Sequence, residues 1–291
     1  MLQRFIPSRF LRICPPTAVF LAIATPLIIL AAISCIPPAS GAGTGPMATG
    51  SLTVFAAASL SEAFAEIAAE FELENPGVSV ALNLAGSQRL RTQLEHGARG
   101  DVFASADQRQ MDLAQKGDVV DGEPVVFATN RLAVIVPKGE LSRRVTDVYD
   151  LGNEGIKLAI ALPDVPAGKY AREMISSLEN VENASDRQLA TRIMANVVTL
   201  EPNVKGVATK VALGEVDAGV VYVTDVLTHY IQDRVRVIPI PGRSNVVAVY
   251  PIAVLRESRS PLLAGEFIRF VLSSKGQSIL GSHGFGPAAN R

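Results

Sequence analysis

From residue 51 onward, short apolar segments alternate with segments whose apolar residues recur at helical spacing, and this alternation constrains the fold most. Residues 52–57 are largely apolar, as in a buried strand. In residues 60–73, Phe64, Ile67 and Phe71 lie three or four positions apart, as in an amphipathic helix. The pair recurs as strand and helix at 78–84 and 88–96, and at 101–105 and 108–116. The pattern predicts an α/β fold with mostly parallel sheets flanked by helices.

A second set of alternating segments predicts a second lobe of similar size. This second set of segments comprises strands at 131–136, 156–162, 218–223, 235–240 and 246–255, and helices at 170–178, 186–196, 204–213, 262–272 and 276–280. We expect strands 131–136 and 246–255 to cross between lobes, because the pattern of elements changes after each. The first lobe then holds residues 51–132 and 246–291, and the second holds residues 133–245. A cleft between two such lobes is a favoured place for a small ligand.

The first 50 residues differ from the rest and are predicted to be an export leader followed by a flexible tether. Arg4, Arg9 and Arg12 precede an uncharged run at 13–39 that is densely apolar in its middle, the pattern of a secretory signal. The run is also long enough for a retained membrane anchor, although its prolines would interrupt such a helix. We expect an exported protein, either periplasmic or lipid-anchored on the outer side of the cytoplasmic membrane.

Both cysteines of the chain, Cys14 and Cys35, lie in this leader. The folded body therefore has no disulfide and no thiol metal site. Residues 32–35 (AISC) resemble a bacterial lipoprotein cleavage box, with Ala where Leu is usual. Cys35 is accordingly a candidate for lipidation, and the alternative is a small apolar residue of the export signal. The Gly-, Pro- and Ser-rich residues 37–50 would form the tether.

Composition argues for a packed globular body and against a nucleic-acid ligand. Hydrophobic residues make up 48% of the chain and charged residues 19%. Of 27 Lys and Arg residues, three lie in the leader, so that 24 basic residues face 28 acidic ones in the remainder. This body offers no broad cationic surface for a phosphate backbone. The chain has no Trp, which also argues against a base-stacking platform.

Four predicted helix starts are candidate anion sites. Ser59 and Ser87 each stand between a strand and a helix, and the other two starts lie at residues 166–168 and 201–204. The first turn of a helix has free N–H groups and partial positive charge, which suit an anion. Ser59 and Glu62 also have the spacing of a capping box, and either serine taken alone is more often a structural cap. Two such turns at the carboxyl ends of parallel strands favour a ligand site.

At these points the residues resemble a known family, the periplasmic molybdate-binding proteins of ABC transporters. The matching segments, in chain order, are VFAAASL at 54–60, AGS at 85–87, GDVFASAD at 100–107, VPAGKYA at 165–171, GVVYVTD at 219–225 and YPIAV at 250–254. They span about residues 51 to 287 in the family's order. The resemblance implies a two-lobe, type II solute-binding fold with the ligand in the cleft.

The resemblance also implies a set of ligand residues. Ser59 and Ser87 would each give a hydroxyl and a backbone N–H to an oxyanion, while Ala167 and Val204 would give backbone N–H groups. Tyr222 would give its phenol hydroxyl, although the residue alone reads as a core tyrosine. The implied ligand is molybdate, with tungstate as an alternative, and molybdenum is bound only as the oxyanion. The implied partner is the membrane permease of an ABC transporter, with a monomeric binding protein, no cofactor and no enzymatic activity.

Two departures from the family pattern and several alternatives stay open. The stretch between residues 168 and 204 is longer than is usual, and Gly86 replaces a frequent Ser, which leaves room for altered selectivity. Sulfate, phosphate, ferric ion or an organic acid would suit the same fold; Arg89 lies near Ser87 but is expected on the solvated face. An enzyme would need a nucleophile, and Ser59 lacks the Gly-x-Ser-x-Gly elbow. A ligand-sensing regulator would need a DNA-binding helix-turn-helix and no export signal.

Overall fold

The computed structural model describes residues 50–139, 143–179 and 188–288. The predicted leader, the candidate lipidation site Cys35 and all but the last residue of the predicted tether lie outside the described residues. Within the described ranges, no helix is both long and apolar enough to cross a membrane.

The first sheet has the strand order β2-β1-β3-β9-β4. Three parallel strands, β1 (Gly50–Ala57), β2 (Val78–Ala85) and β3 (Val102–Ala104), form one side of it. Each is followed by a helix: α1 (Ser61–Glu74), α2 (Ser87–Glu95) or α3 (Gln108–Lys116). The carboxyl ends of these strands therefore lie at one edge, and the helices begin there. Strand β9 (Val247–Leu255) runs antiparallel to β3 and to β4.

Strand β4 (Val120–Pro137) joins the two sheets. Its residues up to Arg131 pair with β9 in the first sheet, and its residues from Leu132 pair with β7 and β8 in the second. The sequence predicted only residues 131–136 as strand. The earlier part of β4 contains Gly, Glu and Pro at 122–124, where the register with β9 shifts, and these residues hide the strand pattern.

The second sheet continues from β4 in the order β7-β5-β6. Its parallel strands are β5 (Leu158–Ala161), β6 (Val197–Glu201) and β7 (Ala218–Tyr222), and β8 (Val235–Ile238) pairs with β4. The helices of this half are α4 (Pro166–Leu178), α5 (Leu189–Ala195), α6 (Val204–Ala212), α7 (Val223–Val226) and α8 (His229–Gln232). The sequence did not predict β6. This strand lies at the edge of the sheet, and its residues alternate between partly buried and exposed, so it has no buried apolar run.

The chain closes with α9 (Pro261–Leu272) and α10 (Ser274–Ser282), followed by the short β10 (Gly286–Pro287), which pairs with β4. Helix α9 packs on β9 and β1, and α10 packs on α1, so both cover the first sheet. Phe64, Phe71 and Phe267 meet edge to face between α1 and α9. The predicted α/β class, with a central sheet flanked by helices, is confirmed; strands β4, β8, β9 and β10 add antiparallel pairs.

Gly168, near the start of α4, allows this helix to abut the end of β5. A Cβ on Gly168 would lie 2.1 Å from the Leu162 carbonyl oxygen and 2.4 Å from that of Ala161. These are backbone atoms and cannot rotate away. The glycine therefore fixes how closely the first turn of α4 approaches the strand edge.

We expect Gly168→Ala to lower the free energy of unfolding by about 1–3 kcal/mol, because the added methyl overpacks against backbone. Gly265→Ala is the matched control. It is also a helical glycine, but nothing lies within 4 Å of its Cβ position, and it should gain up to about 1 kcal/mol from helix propensity. Urea denaturation measures both variants, and equal effects would contradict the packing argument.

Candidate anion-binding site

A small cavity lies between the two sheets, where strands from both sides end. The structure brings all five predicted ligand residues to its wall: Ser59, Ser87, Ala167, Val204 and Tyr222. The other lining residues are Asn203 and six small or apolar ones, Ala57, Ala58, Gly86, Ala106, Val165 and Pro166. Among the described residues, the wall of this cavity therefore carries no charged side chain.

Ser59 lies in a 3-10 turn (Ala58–Leu60) between β1 and α1. The predicted capping box of Ser59 and Glu62 is wrong: α1 starts at Ser61, its N-cap is Leu60, and no side chain caps it. The 3-10 turn moves Ser59 one residue ahead of the capping position. Its Oγ instead lies 3.0 Å from the Tyr250 Oη, and its side chain is buried at the cavity.

Ser87 is the first residue of α2, and its backbone N–H belongs to the turn that has no partners within the helix. Its buried Oγ accepts a hydrogen bond of 3.0 Å from the Ala106 backbone N–H. The hydroxyl hydrogen of Ser87 therefore remains for a group in the cavity. Gly86 precedes it, and a Cβ there would lie 2.7 Å from the Pro202 carbonyl oxygen. The glycine thus gives room to the loop before α6.

Ala167 and Val204 have no polar side chain, so only their backbone N–H groups can bind a ligand, and these are free because both residues lie at the start of a helix. Pro166 opens α4, so Ala167 carries one of the first N–H groups of that helix. Asn203 caps α6, and its Oδ1 accepts from Gly206 N at 3.0 Å. Val204, the first residue of α6, keeps an N–H without a helical partner. Both residues are buried at the cavity.

Tyr222 ends β7 and is buried, yet its hydroxyl is unpaired. Among the described residues, its Oη has no hydrogen-bond partner. Burial raises the pKa of the Tyr222 phenol well above its usual value, so the group keeps its proton. A buried hydroxyl without a partner is costly, and its position on the cavity wall makes a ligand the natural partner. The alternative of a simple core tyrosine leaves this atom unexplained.

The electrostatics of the cavity suit an anion held by neutral groups. Helices α2, α4 and α6 all begin at its wall, and each brings partial positive charge. The described residues hold no group of three His, Cys, Asp or Glu side chains placed to bind a metal ion. Arg89 is exposed, as predicted, and does not line the cavity.

Sequence reasoning missed the residues behind Ser59. Tyr250 on β9 and Asn130 on β4 are both buried, and Asn130 Nδ2 lies 3.3 Å from Tyr250 Oη. They are 191 and 71 positions away from Ser59 in the chain, and no local pattern connects them. The only available signal was Tyr250 in a strand of otherwise apolar residues.

Comparison with known proteins shows the family of this chain. A family model described as bacterial extracellular solute-binding protein matches residues 52–286. The molybdate-binding protein ModA of Mycobacterium tuberculosis (strain ATCC 25618 / H37Rv) is 38% identical over 248 residues, which are 85% of this chain and 89% of that protein.

Two solved structures extend the comparison. The substrate-binding domain of a putative molybdenum ABC transporter from Clostridium difficile is 29% identical, with a TM-score of 0.59, over 81% of this chain and 98% of that one. The sulfate-binding protein SubI from Mycobacterium tuberculosis has a TM-score of 0.73 over 82% and 87% of the two chains, and at 17% identity it shows the fold alone. The predicted type II binding-protein fold is confirmed. The chain belongs to the bacterial extracellular solute-binding protein family and is a relative of the ModA proteins.

Proposed function

We propose that this protein captures molybdate between two lobes and delivers it to the membrane permease of an ABC importer. The observation that carries the proposal is the donor set: two serine hydroxyls, one unpaired phenol and the free N–H groups of three helix starts converge on one cavity without a charged side chain. A doubly charged tetrahedral oxyanion needs several donors to replace its water shell. The donors belong to Ser59, Ser87, Ala167, Val204 and Tyr222.

The sequence relatives support molybdate as the proposed ligand. The Mycobacterium tuberculosis protein that carries the name molybdate-binding protein is 38% identical and is covered over 89% of its length, whereas the sulfate-binding protein is only 17% identical. Tungstate, an oxyanion of the same shape and charge, is the second candidate, and sulfate or phosphate is the alternative. Donors alone disfavour hydrogen phosphate, because its proton needs an acceptor. Discrimination from sulfate then rests on cavity size and donor placement.

Contacts among side chains and backbone join the two halves across the cleft in this structure. Lys205 Nζ on α6 lies 2.7 Å from the Glu62 carboxylate on α1, across the cleft, and 3.5 Å from the buried Asp225 carboxylate in its own half. Two amides also reach across: Gln88 Nε2 donates to the Pro202 carbonyl at 3.2 Å, and Gln110 Nε2 to that of Asp164 at 3.0 Å. Since both lobes supply ligand donors, the ligand favours this closed form.

Lys205 is the centre of the charged contact. Burial raises the pKa of Asp225 to about 6, against the lowering effect of Lys205, so this carboxylate is ionised at neutral pH. The other oxygen of Asp225 accepts from the backbone N–H of Tyr222 at 3.0 Å. The ion pair therefore links α1, α6 and the end of β7, and all three carry or adjoin a proposed ligand donor.

The same proposal includes the cell biology that the sequence predicts. The two lobes comprise residues 51–132 with 246–291, and residues 133–245. The leader directs the protein out of the cytoplasm. Outside it, the protein acts as a monomer without a cofactor, either free in the periplasm or anchored to the membrane through a lipid on Cys35.

Isothermal titration of the protein with molybdate, tungstate, sulfate and phosphate tests the ligand assignment. We expect Ser59→Ala with Ser87→Ala to weaken molybdate binding at least about a hundredfold, because each lost hydrogen bond to a charged group costs about 1.5–3 kcal/mol. The double variant Ser177→Ala with Ser282→Ala is the control, since both hydroxyls donate to backbone carbonyls away from the cavity: Ser177 to Met174 and Ser244, and Ser282 to Ile279. Sulfate binding without molybdate binding would refute the assignment.

Lys205→Met tests the closed form. The Lys205–Glu62 pair that it breaks across the cleft is partly exposed, so we expect a loss of molybdate affinity of about twofold to fivefold, mainly through faster dissociation. Lys210→Met on the same helix is the control, because its partners Glu201 and Glu215 lie in the same half of the molecule. Stopped-flow release of molybdate measures the rate, and urea denaturation of the ligand-free variants checks folding. Equal rates for both variants would show that the ion pair does not hold the cleft.

A further inference from the structure

A chain of hydrogen bonds runs behind the cavity and ends at the Ser59 hydroxyl. Asn130 Nδ2 lies 3.3 Å from Tyr250 Oη, and Tyr250 Oη lies 3.0 Å from Ser59 Oγ. The second hydrogen of the Asn130 amide goes to Thr224 Oγ1, at 2.9 Å. All four residues are buried, and Asn130 and Tyr250 do not line the cavity. Their polar atoms therefore have no direct contact with a ligand there.

The chemistry of Asn130 sets the direction of this chain. Its Oδ1 accepts from the Arg131 backbone N–H at 2.9 Å, which fixes the orientation of the amide. Its NH₂ group can only donate, so Tyr250 Oη accepts from it. The single hydrogen of Tyr250 then goes to Ser59 Oγ. Ser59 accepts that bond, and its own hydrogen is left to point into the cavity.

Ser87 reaches the same state by a shorter route. The Ala106 backbone N–H donates to Ser87 Oγ, so Ser87 also accepts a hydrogen bond from the protein and keeps its own hydrogen for a group in the cavity. Both serines are thus set as donors before a ligand arrives. A backbone group orients the Ser87 hydroxyl, whereas two side chains, which can be substituted, orient the Ser59 hydroxyl.

We propose that Asn130 and Tyr250 are positioning residues that hold the Ser59 hydroxyl as a donor, and so favour a fully deprotonated oxyanion over a protonated one. This inference rests on the proposed function of Ser59 as a ligand. If the Tyr250 hydroxyl is removed, Ser59 has a free lone pair as well as a hydrogen. It then meets an anion oxygen or an anion O–H almost equally well.

Two further observations support this role. Burial raises the pKa of Tyr250 above its usual value, so its proton stays in place at neutral pH. The Tyr250 ring is held by edge-to-face contacts with Phe127, Tyr222 and Phe285, at centroid distances of 6.3, 6.0 and 5.4 Å. A phenylalanine can keep these contacts, so Tyr250→Phe removes the hydroxyl alone.

A double-mutant cycle with molybdate tests the proposal by isothermal titration of the parent, Tyr250→Phe, Ser59→Ala and the double variant. We expect Tyr250→Phe to weaken binding about tenfold in the parent and to have no further effect once Ser59→Ala is present. A merely structural role for Tyr250 would give the same loss in both backgrounds. That additive result, or full affinity in Tyr250→Phe, would overturn the proposal.

Selectivity gives a second readout. At neutral pH phosphate carries a proton, and we expect Tyr250→Phe to narrow the preference for molybdate over phosphate. Tyr170→Phe is the control, because it removes a buried hydroxyl that bonds to the Val249 backbone rather than to Ser59. It should keep the parent's preference, and an equal narrowing in both variants would overturn the proposal.

The failure of the proposed function looks different. A parent that binds sulfate but not molybdate refutes the ligand assignment, and the same cycle run with sulfate then tests the positioning role. A parent that binds none of the four anions overturns both.

Discussion

The central constraint on the proposed site is the burial of a charged ligand without a buried charge of opposite sign. In such a site every negative oxygen must meet a donor that is already in place, because an unpaired buried polar group costs more than a hydrogen bond gains. Parallel strands followed by helices meet this need directly. They bring the start of α2, from the first sheet, and the starts of α4 and α6, from the second, to the wall of the same cavity.

The two halves of the fold depend on this arrangement for their relation to each other. Neither half holds the whole donor set: Ser59 and Ser87 follow strands of the first sheet, and Ala167, Val204 and Tyr222 belong to the second. Strand β4 joins the sheets between Arg131 and Leu132, next to Asn130. The side chain that sets the direction of the Ser59 hydroxyl therefore lies at the covalent junction, and it also bonds to Thr224 on the far side. Asn130 therefore both contacts the second half of the molecule and helps to orient the Ser59 hydroxyl.

The sequence predicts the part of the site that is local. A serine or a Pro-Ala pair between a strand and a helix marks a helix start, and the structure places Ser87 and Ala167 there. Helix α3 is predicted at its true bounds, Gln108–Lys116, and in the structure the Asp107 side chain caps its start. The capping box at Ser59 fails because a 3-10 turn, stabilised by tertiary contacts, shifts the start of α1. The link from Asn130 through Tyr250 to Ser59 joins three distant segments, so no spacing rule could reveal it.

The contribution of main chain to the cavity has a consequence for any mutational survey of this protein. Ala167 and Val204 present their amide groups, and a replacement that keeps the helix start keeps the amide. For the proposed site, a scan of side chains would therefore identify two serines and one tyrosine and would report these two positions as tolerant. The surrounding alanine methyls, such as those of Ala58 and Ala106, limit the space while making no polar contact. Substitutions at these alanines can thus change the size of anion that the cavity prefers without removing any hydrogen-bond donor.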